Sequence, residues 1–162
     1  MIEENYRIGH GYDVHKLETG EKFVIGGIEI DHDKGAVGHS DADIIIHVMC
    51  DSILGALSEG DIGKHFPDTD EKYKGIDSKV LLVEVMEILH KKGFEINNID
   101  VTVLLQEPKL RNHIIKMIDT LSAVMKIDKK KLSIKATTTE GLGFVGREEG
   151  VAAHCITLIN KI

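Results

Sequence analysis

The chain has 162 residues, of which 42% are hydrophobic and 29% charged, with a formal net charge of −7. That length and balance suit one domain with a real core, expected to span residues 1–162. The acidic charge argues against a general nucleic-acid binder, and no apolar run approaches the ~18 residues of a membrane span, so neither nucleic acid nor membrane is an expected partner.

The opening MIEENYRIGHG has neither a basic n-region nor an apolar h-region, so no signal peptide is expected. Cys50 and Cys155 lie in apolar stretches without a CxxC pattern and read as buried free thiols in a reducing compartment, which makes a cytoplasmic location the default. Apolar alternation predicts a strand over Tyr6–His15 and another over Lys22–Ile30, with Gly26-Gly27 marking a bend or bulge. Asp41 to about Leu57 is a helix apolar on most faces, therefore buried, with Ser40 as its N-cap. Gly60–Gly75 reads as a loop. Asp77 or Ser78 caps a helix that ends at Gly93. Ile99–Leu105 is β-rich and is stopped by Pro108. Leu110 to about Lys126 is amphipathic, with Ile114, Ile118, Leu121 and Met125 on one stripe. Leu132–Thr138 is a strand, Gly141–Gly150 a glycine-punctuated loop, and Val151–Ile159 a closing strand. The mixture predicts an α+β two-layer sandwich.

On a strand, residues i and i+2 share a face, so Asp13 and His15 project together and Val14 is expected to turn to the core. His47, inside the buried helix, needs a strong partner. Two imidazoles and a carboxylate suit zinc with a fourth position open. The same residues also fit a chance strand motif and a hydrogen-bonded core histidine. Asp43 and Asp51, one turn either side of His47, are candidates to fix its tautomer, or else solvated helix residues.

Three further segments suit phosphate chemistry. His39-Ser40 leads into the first turn of a helix, where exposed N–H groups favour anions; an ordinary cap explains it as well. Thr137-Thr138-Thr139 offers hydroxyls to phosphate oxygens and Glu140 can hold a hard cation, or the run is a Thr-rich strand end. Gln106-Glu107-Pro108-Lys109 is a stiffened turn able to read a base edge, with Lys109 free to meet a phosphate, or a plain connection. Phe66–Asp70 reads as a turn with Asx bonding or a polar lid.

In order and spacing, the segments RIGHGYDVH (Arg7–His15), GHSDAD (Gly38–Asp43), His47, GDIGKHFPDTD (Gly60–Asp70), YKGIDS (Tyr73–Ser78), QEPK (Gln106–Lys109) and KATTTEGLGFVGREEG (Lys135–Gly150) together resemble the 2-C-methyl-D-erythritol 2,4-cyclodiphosphate synthase family. The resemblance implies a phosphorus–oxygen lyase of non-mevalonate isoprenoid biosynthesis. It would convert 4-diphosphocytidyl-2-C-methyl-D-erythritol 2-phosphate to the cyclic diphosphate and CMP. It implies a mixed sheet packed on one side by helices, and a homotrimer with its sheets towards the three-fold axis and active sites between subunits. Asp13, His15 and His47 match the ligands of Zn2+ or another divalent transition metal. Glu140 falls at a second site, for Mg2+ or Mn2+ bridging substrate phosphates.

His39 and Thr138 match transition-state positions. Val14, Ser40, Asp61, Ile62, Gly63, Phe66, Pro67, Asp68, Thr69 and Asp70 match substrate contacts. Leu105, Gln106, Glu107, Pro108, Lys109, Leu110 and Arg111 match the turn for the cytosine and its phosphate, and Thr137–Glu140 (with Thr139) the second phosphate segment. Phe144 and Arg147 match residues near the trimer axis, where the family can hold an isoprenoid diphosphate. Glu107, Asn112 and Gly141 depart from the common pattern, and Gly141 is expected to loosen the loop after Glu140. A metal-dependent phosphohydrolase and a non-catalytic isoprenoid-diphosphate carrier are the rival readings.

Overall fold

A computed structural model describes residues 5–162; the reading that the chain opens without a leader rests partly on residues outside that range. A five-stranded sheet has the order β4-β1-β7-β5-β6, built from β1 (Tyr6–Thr19), β4 (Lys34–Ala36), β5 (Phe94–Leu104), β6 (Leu132–Thr137) and β7 (Gly150–Lys161). β1 runs antiparallel to β4 and β7, β5 antiparallel to β7 and parallel to β6, so the sheet is mixed. Helices α1 (Ile44–Ala56), α3 (Ser78–Lys91) and α4 (Ile114–Met125) form one layer on one face. The fold is therefore α+β, a mixed sheet with its helices on one side, as expected.

Two glycines set the distance between the layers. A Cβ on Gly9 would lie 1.8 Å from the Ser52 carbonyl oxygen, and one on Gly11 2.1 Å from that of Val48. Only bare backbone lets α1 approach β1 this closely. The odd-numbered residues of β1 face α1. Its even-numbered residues Tyr6, Ile8, Tyr12 and Val14 lie exposed on the other face, with Ile156 of β7. Val14 is thus turned away from the core, 42% exposed, contrary to its expected orientation. Strand alternation correctly paired Asp13 with His15; which face is inner depends on where the helices pack.

Within α1 only His47, Asp51 and Gly55 escape full burial, one residue per turn on a single stripe. The helix begins at Ile44 and not near Asp41, and its N-cap is Asp43, whose carboxylate accepts from the Ile46 N–H. Ala42 in the left-handed region (φ 57°) breaks the backbone just before it. Ser40 is therefore no cap, and the first turn is buried, with no N–H face open to an anion.

The Lys22–Ile30 segment is a hairpin, β2 (Phe23–Ile25) and β3 (Ile28–Ile30), turned by Gly26 and Gly27 at φ 64° and 76°. Both central residues at positive φ suit a two-residue hairpin turn, which glycine adopts without strain. Their two N–H groups donate to the Asp43 carboxylate at 2.9 and 2.6 Å. One buried carboxylate thus ties the hairpin to the start of α1.

Gly60–Gly75 is less irregular than expected: α2 (Ile62–His65) and a 3-10 turn at Glu71–Tyr73 interrupt it. Asp77 caps α3 through the Lys79 N–H. α4 starts later than expected, at Ile114, and the centre of its buried stripe is Met117, Leu121 and Met125, with Ile114 and Ile118 on its flanks. A short helix α5 (Gly143–Gly146) lies within Gly141–Gly150. Among the described residues no helix is long and apolar enough to cross a membrane.

Candidate metal centre

β1 delivers Asp13 and His15 to the helix-facing side of the sheet, and α1 delivers His47 from its one unburied stripe. Asp13 Oδ2 lies 2.7 Å from His15 Nε2 and 3.3 Å from His47 Nδ1, and the two ring nitrogens are 3.1 Å apart. Donor atoms on a tetrahedral zinc with ~2.0 Å bonds would stand roughly 3.3 Å apart. Asp13, His15 and His47 are the one group of three potential ligands found converging among the described residues.

The rings are held from behind. His15 Nδ1 lies 3.3 Å from the Val37 carbonyl, an acceptor only, so it carries the proton and turns the Nε2 lone pair to the centre. His47 Nε2 lies 3.1 Å from Ser40 Oγ and 3.2 Å from Ser78 Oγ. Burial pushes the Asp13 carboxyl up, but the His15 and His47 rings beside it outweigh that and hold the pKa well below the ordinary range. Asp13 thus stays an anionic ligand at any ordinary pH. A donor set of two neutral imidazoles and one carboxylate fits a divalent transition metal.

Neither acidic candidate reaches His47. Asp43 is fully buried and occupied by the N–H groups of Gly26, Gly27 and Ile46, so it is not a solvated residue either. Burial raises its pKa, those three N–H bonds opposing. Asp51 accepts from the Ile62 N–H at 2.8 Å and anchors α2; burial raises its pKa too. The partners of His47 are the serines. Ser78 had read only as a helix start, because 31 residues of chain separate it from His47.

His39, Ser40 and His47 line a cavity of about 260 Å³ with Ile62, Gly63, Phe66 and Asp68. Asp61, Pro67, Thr69 and Asp70 are not among its lining residues. Asp61 caps α2 through the Lys64 N–H, Pro67 and Asp70 close a turn, and Asp70 accepts from the Lys72 N–H. Phe66 packs edge-on to Tyr73 at 5.5 Å. Val14, on the opposite face of the sheet, stands apart from this cavity.

A second cavity, about 610 Å³, is lined by Leu105, Pro108, Lys109, Leu110, Arg111, Thr137 and Thr138 among others, and shares no lining residue with the first. Lys109 is drawn back onto the Gln106 carbonyl (3.0 Å) and Glu107 (3.3 Å). The hydroxyls of Thr137 and Thr139 donate to backbone carbonyls, whereas Thr138 Oγ1 accepts from the Glu140 N–H and keeps its own proton to give. Gly141 stands at φ 76°, a conformation that suits glycine, and its N–H donates to Gln106 Oε1 at 3.3 Å. The register His15–Val151, Ala152–Leu104, Leu104–Thr137 puts His15 and Thr137 at the same end of the sheet, three strand spacings or roughly 14 Å apart.

Phe144 lines a third cavity, about 200 Å³, with Tyr12, Leu104 and His154 on the uncovered sheet face. Arg147 makes a bidentate pair with Glu149 at 3.0 and 3.1 Å, a partner that sequence reading missed.

A family model described as the YgbB family matches residues 6–160. The 2-C-methyl-D-erythritol 2,4-cyclodiphosphate synthase of Geobacter sulfurreducens is 52% identical over 155 residues, covering 96% of this chain and 99% of its own. That of Clostridioides difficile is 56% identical over 153 residues, covering 94% and 95%. Among solved structures, the Plasmodium falciparum IspF CDP complex superposes with TM-score 0.86 at 34% identity, covering 97% of both chains. The bifunctional IspDF of Campylobacter jejuni gives TM-score 0.93 at 37% identity, matching 97% of this chain and 42% of that longer one. The chain belongs to the YgbB family, whose curated relatives are 2-C-methyl-D-erythritol 2,4-cyclodiphosphate synthases.

Proposed function

We propose that the chain cyclises 4-diphosphocytidyl-2-C-methyl-D-erythritol 2-phosphate to 2-C-methyl-D-erythritol 2,4-cyclodiphosphate with release of CMP. The carrying observation is the convergence of Asp13, His15 and His47 beside the cavity that His39 and Ser40 line. Relatives over 50% identical across nearly their whole length bear that name, and a solved relative holds CDP. The match over residues 6–160 supports one synthase domain.

In this reaction an oxygen of the 2-phosphate attacks the β-phosphorus. The bond from that phosphorus to the bridging oxygen breaks, and CMP leaves with the electron pair. The nucleophile is already anionic near neutral pH, so the residues need not supply a strong base. Their work is to hold anions together in line. Asp13, His15 and His47 would hold a Zn2+ and Glu140 a Mg2+ or Mn2+, which when bound would supply Lewis-acid polarisation and neutralise phosphate charge.

His39 and Thr138 donate hydrogen bonds to the equatorial oxygens, and Ser40 contacts substrate beside them. Ile62, Gly63, Phe66 and Asp68 wall the methylerythritol side of the cavity. Leu105–Arg111 receives cytosine and its phosphate, Arg111 and Lys109 adding positive charge. The chain works as a homotrimer with each site between two subunits. Two cavities without a shared residue, and an uncovered apolar sheet face, support this. Phe144 and Arg147 are the residues this reading assigns to an isoprenoid diphosphate at the trimer axis. Cytoplasmic action is part of this reading, supported by two buried thiols left unpaired.

The test is incubation with the cytidine diphosphate substrate, with and without chelator, in water enriched in oxygen-18. Cyclic diphosphate and CMP without label, lost on chelation, are expected. A linear, labelled product would overturn cyclisation in favour of a metal-dependent phosphohydrolase.

A further inference from the structure

Behind His47 lies a chain of hydrogen bonds that ends in a carboxylate. Ser78 Oγ, 3.2 Å from His47 Nε2, is 2.5 Å from Asp41 Oδ1, and the Ser78 N–H donates to Asp41 Oδ2 at 3.1 Å. Ser40 Oγ, 3.1 Å from the same Nε2, is 3.2 Å from Ser78 Oγ and accepts from the Ala42 N–H. A serine has one proton to give. With a carboxylate at 2.5 Å, the Ser78 proton goes to Asp41, which as an anion can only accept. Ser78 can then offer His47 only a lone pair. Ser40 can give its own proton to the Ser78 oxygen 3.2 Å away, which leaves Nε2 as the donor to both hydroxyl oxygens while Nδ1 keeps its lone pair towards Asp13 Oδ2 and His15 Nε2.

We infer that Ser78 and Asp41 are positioning residues for the metal ligand His47: the chain Asp41–Ser78–His47 fixes the ring's tautomer and aim, and passes negative charge to the back of the ligand. Ser78 is fully buried, so no water replaces its oxygen. Asp41 is itself fastened, its N–H donating to the Ile76 carbonyl while the Gly75 N–H donates to the carbonyl of His39. The loop bearing His39 and Ser40 and the start of α3 are thereby one clamp on the ring. Histidine ligands commonly give their outer N–H to a carboxylate or carbonyl, and removing that partner lowers metal affinity about 10- to 100-fold. Here a hydroxyl stands between ring and carboxylate. The inference rests on the metal-centre reading above.

The experiment titrates Zn2+ into wild type, Ser78→Ala and Asp13→Ala against a chromogenic chelator, and records thermal unfolding of each metal-free protein. Ser78→Ala should weaken zinc about 10- to 100-fold, leave the metal-free melting temperature close to wild type, and narrow the melting shift that zinc produces. In zinc-loaded wild type, proton NMR should show a His47 Nε2–H resonance exchanging slowly with water. Unchanged affinity in Ser78→Ala, with binding lost in Asp13→Ala, overturns the relay and leaves the metal centre standing. A wild-type chain that takes up no zinc overturns both. Were Ser78→Ala not to fold, a fast-exchanging His47 ring N–H in the wild type would overturn the relay by itself.

Discussion

Single residues divide here into those whose chemistry the sequence displays and those whose role arises only by folding. Asp13 and His15 share a strand face at a spacing of two, and His47 stands out in a helix that is apolar on most faces, so all three were legible. Ser78 and Asp41 were not, because a hydroxyl or a carboxylate at a helix start has a sufficient local explanation. For the ligands the expected outcome of Asp13→Ala or His47→Ala is loss of bound zinc and of CMP release, with the assembled state unchanged by light scattering. Full activity in the metal-depleted double variant would defeat the assignment. The cysteines give a second residue-scale prediction. Burial pushes the Cys50 thiol well up and that of Cys155 to about 11, the latter against its hydrogen bonds with Ser52 and Thr157. A raised pKa lowers the thiolate fraction, to roughly one part in a thousand for Cys155 at pH 8, and thiolate is the form that alkylates. Neither thiol should react with iodoacetamide in the native protein at pH 8, and both should react in denaturant. Stoichiometric native labelling would contradict the burial.

At the scale of elements, the order of strands and helices was readable because each repeats its apolar residues at its own period. Their sidedness was not. Val14 alternates with Asp13 and His15 whichever face is inner, and only α1 on the odd face of β1 decides it. The cap of α1 was misread for a related reason. Ser40 and Asp43 are both good N-caps, and what favours Asp43 is the distant Gly26-Gly27 turn, whose N–H groups need the same carboxylate. Asp43→Ala would leave the N–H groups of Gly26, Gly27 and Ile46 without their acceptor in a dry interior. By the cost of unsatisfied buried donors, that loss is about 3 kcal/mol or more. The approach of α1 to β1 supports a companion prediction. Gly11→Ala places a methyl 2.1 Å from the Val48 carbonyl oxygen, a backbone atom that cannot rotate away. Overpacking costs about 1–3 kcal/mol, and this contact belongs at the upper end. Because it pushes α1 from β1, it should also weaken zinc binding by parting His47 from Asp13 and His15. Chemical denaturation and zinc titration of the same sample check both effects; wild-type stability in Gly11→Ala would refute the close approach.

For the whole molecule the governing fact is that, among the described residues, no helix layer covers one face of the sheet. Ile8 is 69% and Ile156 48% exposed, with Tyr6, Tyr12 and Val14 beside them. Contiguous apolar surface of this kind normally marks an interface. The metal ligands all come from one chain, whereas the cavity lined by Leu105–Arg111 and Thr138 shares no residue with the one beside the metal. Assembly and metal binding should therefore separate cleanly. In the double variant Ile8→Glu, Ile156→Glu, two carboxylates per chain would have to be buried in the interface, at a cost of several kcal/mol each unless they are paired. Wild type should sediment at three times the 17.9 kDa chain mass and the variant as a monomer. The monomer should keep wild-type affinity for zinc, since Asp13, His15 and His47 face α1 and not the altered surface. It should release no CMP, because each metal would lack the nucleotide-binding turn of a neighbour. A monomer that turns over substrate at the wild-type rate would mean that one chain's two cavities serve a single substrate, and the intersubunit site would have to be abandoned.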